Sequence, residues 1–447
     1  MRPEYDKDHP GRSSSAPILA LTALRSRERS NAGARPLTPT ERSDSGLRAA
    51  LPLIAVCFAI QFVVLGGGVD TVSVFLHELA RANGWPRGTL SAGIGVGVVC
   101  AGIATPAVGV LIDRFGVRVP IGLGAVLLAA GFVVLGAMTE AWHFIAANAL
   151  LGPGFAGTAM LPITIAVTVR VPDRTAFALG LVSVGASAGA LVLAPGLQAL
   201  IDVYGWRATY AVLGTAVVAA PLAALAALPK GRLQRAAAGE SAARPPPLDL
   251  RSELRRAGVR PLAVLLVVPG LVNFGFQVHV VPYLSGVGHD ATVAATALGV
   301  AVGVSAVGKV AGGMLGDRIG PLQALRLALL VQAGALVLLP LASALPVLGV
   351  FLVLHGVAVG TEVAVTPVLA LRIFGQARFA TLYGLMQLVA TVAIGLAPVI
   401  PGLLFDATGS YAGAVVFWVA TMVIGVVVAF TMRPPGREEP EGELLAA

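Results

Sequence analysis

Long apolar stretches make up most of this 447-residue chain, and few ionisable side chains lie inside them. Away from the ends of the stretches these are Asp70, His279, Lys309, His355 and Glu362. A charge at the centre of a membrane helix costs roughly 2.5–3.5 kcal/mol on insertion scales, so each needs a reason. Lys309 is the one cation, one helical turn from Ser305 on the same face. It either holds a carboxylate in a cavity or snorkels to the interface, about 9 Å away at the helical rise. His355 and Glu362 are seven residues apart and share a face. Either they pair as a buried acid–imidazole couple, or one carries a coupling proton, as an imidazole with an unperturbed pKa of about 6.5 can. Asp70 follows Gly66-Gly67-Gly68. Three glycines weaken a helix by about 1 kcal/mol each, so the backbone there can break and face a cavity. Asp70 then either binds a proton or accepts hydrogen bonds from a neighbouring helix.

Uncharged polar residues extend this set. Asn273 and Gln277 lie one turn apart, and His279 is about 200° round an unbroken helix from Gln277. All three face one cavity only if the helix bends, which Gly275 and Pro282 permit. Tyr383, Gln387 and Thr391 form a stripe at four-residue steps, as do Ser183 and Ser187. In lipid such stripes are interhelical hydrogen bonds or cavity lining. No nucleotide-binding loop, metal-ligand spacing or nucleophile–base constellation occurs, so neither a cofactor nor an enzymatic activity is expected. Cys57 and Cys100 sit in apolar runs and read as small buried hydrophobes.

The elements that must position these residues follow from composition. Hydrophobic residues are 56% of the chain and charged ones 12%, about half the usual share of a soluble domain. That excludes a disordered protein, a coiled coil and an ordinary cytosolic enzyme. Apolar runs long enough to span a bilayer fall at 49–79, 90–112, 119–138, 143–169, 177–201 and 208–228. Six more fall at 261–286, 291–315, 321–341, 345–371, 381–405 and 411–432. The expected fold is an all-α integral membrane protein of twelve helices in two six-helix halves, 48–229 and 261–432. Residues 1–47 read as a disordered cytoplasmic tail, 230–260 as a basic cytoplasmic linker with a short surface helix near 248–257, and 433–447 as a second tail. The apolar stretch Ala16–Leu24 precedes Arg25, Arg27 and Arg29, the reverse of a signal peptide. With the N-terminus in the cytoplasm, 27 of the 31 Lys and Arg fall on that side. The net charge of +8 therefore encodes topology, not nucleic-acid binding, and both termini are expected to be cytoplasmic.

The halves repeat. Gly109, Asp113, Arg114 and Gly116 recur 204 residues later as Gly313, Asp317, Arg318 and Gly320, and Asp202 and Gly205 recur as Asp406 and Gly409. Parallel six-helix repeats are the plan of a rocking transporter with its site between the halves. The element Gly109-Val-Leu-Ile-Asp113-Arg114-Phe-Gly116-Val-Arg118 and its second copy resemble the signature loops of the major facilitator superfamily. Phe75-Leu-His-Glu78, Gly84-Trp85-Pro-Arg87, Val171-Pro-Asp173-Arg174, Gly205-Trp206-Arg207 and His279-Val-Val-Pro282-Tyr283 are similar to the monocarboxylate-porter-like branch, related to oxalate/formate antiporters. That branch carries a helix-eight cation four positions before the signature glycine, which here is Lys309. Ser305 stands where some members have an acid, and helix eleven lacks the second cation of the oxalate exchangers, so a monovalent anion is favoured. The resemblance also implies that Asp113, Arg114, Asp317 and Arg318 are gate latches, not substrate ligands.

Together these readings predict a secondary transporter, working as a monomer in the lipid bilayer of a bacterial plasma membrane. It moves a small organic monocarboxylate with a proton by alternating access. The expected substrate-binding set is Lys309, Ser305, Asn273, Gln277, His279, Tyr383 and Gln387, and the expected proton-coupling set is Asp70, His355 and Glu362. Efflux of a lipophilic compound is the competing reading on the same fold. A non-transporting membrane sensor is another, and neither tail supplies a signalling domain for it.

Overall fold

A computed structural model describes residues 39–171, 175–228 and 258–433, with the side chains of 39–49, 175–177 and 376–381 excepted. The expectations for residues 1–38, for the 230–257 part of the linker and for 434–447 lie outside these residues, as do those for Arg174 and the side chain of Arg378. The described chain is almost wholly helical. Its elements are α1 (Pro39–Ile60), a π-helical stretch (Gln61–Gly67), α2 (Val72–Asn83), α3 (Arg87–Phe115), α4 (Arg118–Ala137), α5 (Ala141–Thr158) and α6 (Met160–Arg170). The long α7 (Thr175–Ala224) bends at Gly205, whose φ of 77° only glycine adopts without strain. Then follow α8 (Val259–Gly286), α9 (Ala291–Ile319), α10 (Pro321–Val337), α11 (Leu345–Phe374), α12 (Gln376–Gly395), α13 (Val399–Thr408) and α14 (Ala412–Thr431).

Among the described residues ten helical segments are long and apolar enough to cross a membrane. Counting both arms of α7 and including the 17-residue α10 makes the architecture consistent with twelve. Helix α1 starts at Pro39, earlier than the tail expected over 1–47. Proline suits a helix start, because its missing N–H would be unsatisfied there anyway.

Three of the expected spans are broken. The first runs as α1, the π-helical stretch and α2, separated by turn residues 68–71. Leu65 O accepts from the Asp70 backbone N–H at 2.8 Å, and the Thr71 hydroxyl donates to Gly67 O. This is the break that Gly66-Gly67-Gly68 foreshadows. The fourth breaks at Ala159, between α5 and α6, and the eleventh at 396–398, between α12 and α13. Such interruptions survive in a membrane only where the freed backbone is buried in protein or lines a cavity.

Within the C-terminal half, α9 packs closely on α11. A β-carbon at Gly360 would collide with Ser305 O and the Lys309 N. The bare glycine lets the two backbones touch, and Ser305, Lys309 and His355 line one cavity.

The halves meet at one end and part at the other. Helix α3 carries Gly88, Gly95 and Gly102 at seven-residue steps, packed against Leu403 and Asp406, Gly395, and Thr391 respectively. The next step, Gly109, meets nothing within 4 Å, and neither does Gly384 on α12. The α7–α9 contact behaves alike: Gly299 packs on Ala190 and Leu191, while Gly180 and Gly313 meet nothing. At the closed end the Asp406 carboxylate accepts from the backbone N–H of Arg87 at 3.0 Å and of Gly88 at 2.7 Å. The Arg87 guanidinium stacks on the Phe405 ring, 3.7 Å from its centroid.

Candidate functional site

Between the halves lies a polar cavity of about 190 Å³. Asp70 reaches it from the turn after the π-helical stretch and Ser187 from α7. The C-terminal half supplies Asn273 and Gln277 on α8, Ser305 and Lys309 on α9, and His355 on α11. The Gln277 amide donates to Asp70 Oδ1 at 2.8 Å, tying the two halves together. Asp70 and Lys309 attract each other electrostatically from opposite walls. A cation and a carboxylate thus face one cavity from the two halves.

A second tier lies behind this wall. Asn273 Nδ2 donates to Glu362 Oε2 at 3.0 Å, and Asn273 Oδ1 accepts from Gln332 Nε2. Gln332 on α10 is fully buried and fixes which way the Asn273 amide points. Glu362 is 4% exposed and its Oε1 has no partner. His355 is stacked on Phe351 and edge-on to Phe276, with centroids 5.2 and 4.9 Å away, and its Nδ1 has no partner. His355 and Glu362 therefore make no acid–imidazole hydrogen bond; each faces a different neighbour. Buried polar atoms without a partner cost free energy unless something else satisfies them.

His279 is not part of this cavity. Helix α8 runs through Gln277 without the bend that would be needed, and His279 points the other way. Its ring contacts Ser91 Oγ at 3.1 Å, Pro398 O at 2.8 Å and Tyr411 Oη at 2.9 Å. It joins α3, α8, α14 and the 396–398 break as a fully buried hub, and this corrects the expected substrate contact. Tyr383 is half-buried and Gln387 exposed on α12, and neither lines the polar cavity. Asp113, Arg114, Asp317 and Arg318 are all exposed at the parted end.

A separate, larger apolar cavity of about 350 Å³ is walled by α3, α5, α6 and residues 65–72, with Phe274 and Thr391 from the other half. Sequence reasoning did not single out Gln332, Ser91 or Asn148. Gln332, the single polar side chain in residues 327–337 of α10, is the signal that could have found the first.

A profile of the Major Facilitator Superfamily matches residues 58–353 and 306–445. The chain belongs to that superfamily. This facilitator is monocarboxylate-transporter-like. It is 27% identical over 386 residues to Monocarboxylate transporter 13 of Bos taurus, covering 85% of this chain and 88% of that one. With Monocarboxylate transporter 12 of Mus musculus it shares 26% over 369 residues, 74% of each chain. Its fold matches a bacterial homologue of the human lysosomal transporter Spinster in an inward-facing, occupied conformation, with a TM-score of 0.69 and 16% identity over 87% of this chain and 97% of that one. A point mutant of the nucleoside transporter NupG gives 0.69 at 13% identity, over 85% and 99%. The facilitator is thus a multi-pass membrane transporter and not an enzyme. The polar cavity lies where the two halves of such a fold present helices to each other.

Proposed function

We propose that this facilitator is a secondary active symporter for a small organic monocarboxylate and a proton, working by alternating access in the plasma membrane. The observation that carries the reading is Lys309, a cation facing a cavity at the junction of the halves, opposite Asp70. Lysine offers a compact point charge suited to a carboxylate. Ser305, Asn273 and Gln277 supply hydrogen bonds around it, and the similarity to monocarboxylate transporters supports the same cargo class. Asp70, His355 and Glu362 are the candidate proton carriers. One anion with one proton carries no net charge, so a pH gradient drives the cycle. The bias of Lys and Arg favours cytoplasmic termini, and on that orientation the parted end faces the cytoplasm. Asp113, Arg114, Asp317 and Arg318 then serve as gate latches at this end. The protein acts as a monomer, with lipid as its only other partner.

The test is uptake of a labelled carboxylate panel into proteoliposomes, with and without an inward-directed proton gradient. Uptake should need the gradient, leave the membrane potential unchanged, and be lost in Lys309→Ala. Absence of pH-driven uptake for every carboxylate sinks the proposal. The separate apolar cavity keeps a second reading alive, export of a lipophilic compound; uptake insensitive to Lys309→Ala would favour it.

A further inference from the structure

The joined end of the halves borders a cavity that the transport reading does not use. We infer that it is a binding site for a small monovalent anion, a carboxylate or a halide, held between Arg87 and His77.

The cavity measures about 370 Å³. His77, Arg81 and Arg87 line it from the N-terminal half, and Phe405 and Asp406 from the C-terminal half. Arg81, Gly84 and Asp406 at its rim are exposed, so solvent reaches it from this end. It has no lining residue in common with the polar cavity at Lys309.

The basic side chains differ in how they are engaged. Arg81 is paired with Glu78 at 2.9 Å. Arg87 forms no ion pair among the described residues. Its guanidinium carbon lies 3.7 Å from the centroid of the Phe405 ring and 5.1 Å from that of Tyr411, and these contacts hold the group in place. Stacking covers the faces of a guanidinium and leaves its N–H groups pointing outward in the plane. Nη1 is buried and has no hydrogen-bond partner, and the same holds for His77 Nδ1 on α2. His77 and Arg87 are close enough to interact electrostatically.

Asp406 is the carboxylate in this wall, and it is already engaged. Its two oxygens accept the backbone N–H groups of Arg87 and Gly88 at the start of α3, at 3.0 and 2.7 Å. That leaves a positioned cation, with a buried edge nitrogen, lining one cavity with an imidazole nitrogen. An in-plane anion suits such donors, because charge-assisted hydrogen bonds to a guanidinium are short and strong. Asp406 also limits the charge of the ligand. Its own negative charge repels a second one on the anion, so the class is monovalent and excludes sulfate and phosphate dianions. Arg87 and Phe405 line a second cavity of about 500 Å³ as well, but His77 does not. His77 therefore tells the two placements apart.

The test is equilibrium binding of labelled acetate and labelled chloride to the purified full chain carrying Lys309→Ala. That substitution removes the cation of the other cavity, so the result does not depend on the monocarboxylate reading. Saturable binding of one anion per chain is expected, displaced by unlabelled acetate or chloride and not by sulfate at equal ionic strength. Binding of acetate alone assigns the site to carboxylates, of chloride alone to halides, and of both to either; each supports the inference. Arg87→Gln keeps the backbone N–H that Asp406 accepts and should weaken binding about thirtyfold or more. His77→Phe keeps a ring but removes Nδ1 and should weaken it about tenfold. The thermal transition of each variant reports its folding. The inference is overturned if neither anion binds saturably or if sulfate displaces as well as chloride, results that need no variant at 77 or 87. Unchanged binding by folded Arg87→Gln overturns it too. So does unchanged binding by folded His77→Phe, which would put the anion in the second cavity.

Discussion

At the scale of single residues, the ionisable groups fall into two tiers. Lys309 faces the cavity, whereas Glu362 sits behind it and is reached through Asn273. Removing one member of a buried charge contact typically costs about 2–5 kcal/mol of binding. Lys309→Ala should accordingly raise KM by about thirtyfold or more, and Lys309→Arg should recover only part, because its planar fork does not fill the place of a point charge. Glu362→Gln keeps the Asn273 contact within reach but cannot release a proton. It should abolish pH-driven net uptake and preserve carboxylate exchange across the membrane, measured by counterflow; equal loss of both would remove Glu362 from the proton path. Much of this tier was legible. The scarcity of charge picked out Asp70, Lys309, His355 and Glu362; helical geometry set His279 about 200° from Gln277, but the expected substrate set kept both. Its hub role was not legible, because Ser91, Pro398 and Tyr411 come from three other elements, and only tertiary packing brings them to one ring.

At the scale of elements, the close contact of α9 and α11 sets the position of Lys309. Gly360→Val would drive two methyl groups into the α9 backbone at Ser305 and Lys309. Overpacking of this kind costs about 1–3 kcal/mol. The variant should lower the thermal transition in detergent and weaken carboxylate binding as Lys309 shifts; a variant with wild-type values for both would show that α9 tolerates displacement. The spans themselves were legible from apolar length, to within a few residues except at the start of the first, whose helix begins at Pro39. The breaks were partly so. Gly66-Gly67-Gly68 announces the first, but the fourth and eleventh spans read as continuous apolar runs, although the chain is interrupted at Ala159 and 396–398.

At the scale of the whole molecule, the two halves are wedged: joined at the Arg87–Asp406 end and apart at the end bearing the signature loops. No residue pattern announces this, since the contacts at the joined end connect residues 319 and 318 positions apart in the chain. The Asp406 carboxylate sits at the start of α3, where backbone N–H groups favour negative charge. Losing a helix cap costs about 0.5–2 kcal/mol. Asp406→Ala should therefore shift the equilibrium toward opening at that end by about twofold to thirtyfold. Spin labels at Ala82→Cys and Ser410→Cys, in a background lacking Cys57 and Cys100, would report it as a longer distance; an unchanged distribution would show that the aromatic contacts of Arg87 suffice alone.

The same junction has a consequence for how variation can act on it. One half contributes a side chain, and the other contributes main chain that every residue but proline possesses. A saturation scan should therefore read the two sides in different languages. Position 406 should answer to chemistry, accepting only an acceptor of the right length. Position 88 should answer to bulk, because even a methyl group there would crowd Asp406 and Leu403. Position 87 should keep the hydrogen bond through almost any exchange. Drift on the N-terminal side can then re-tune the cation over Phe405 freely while the bolt itself stays shut.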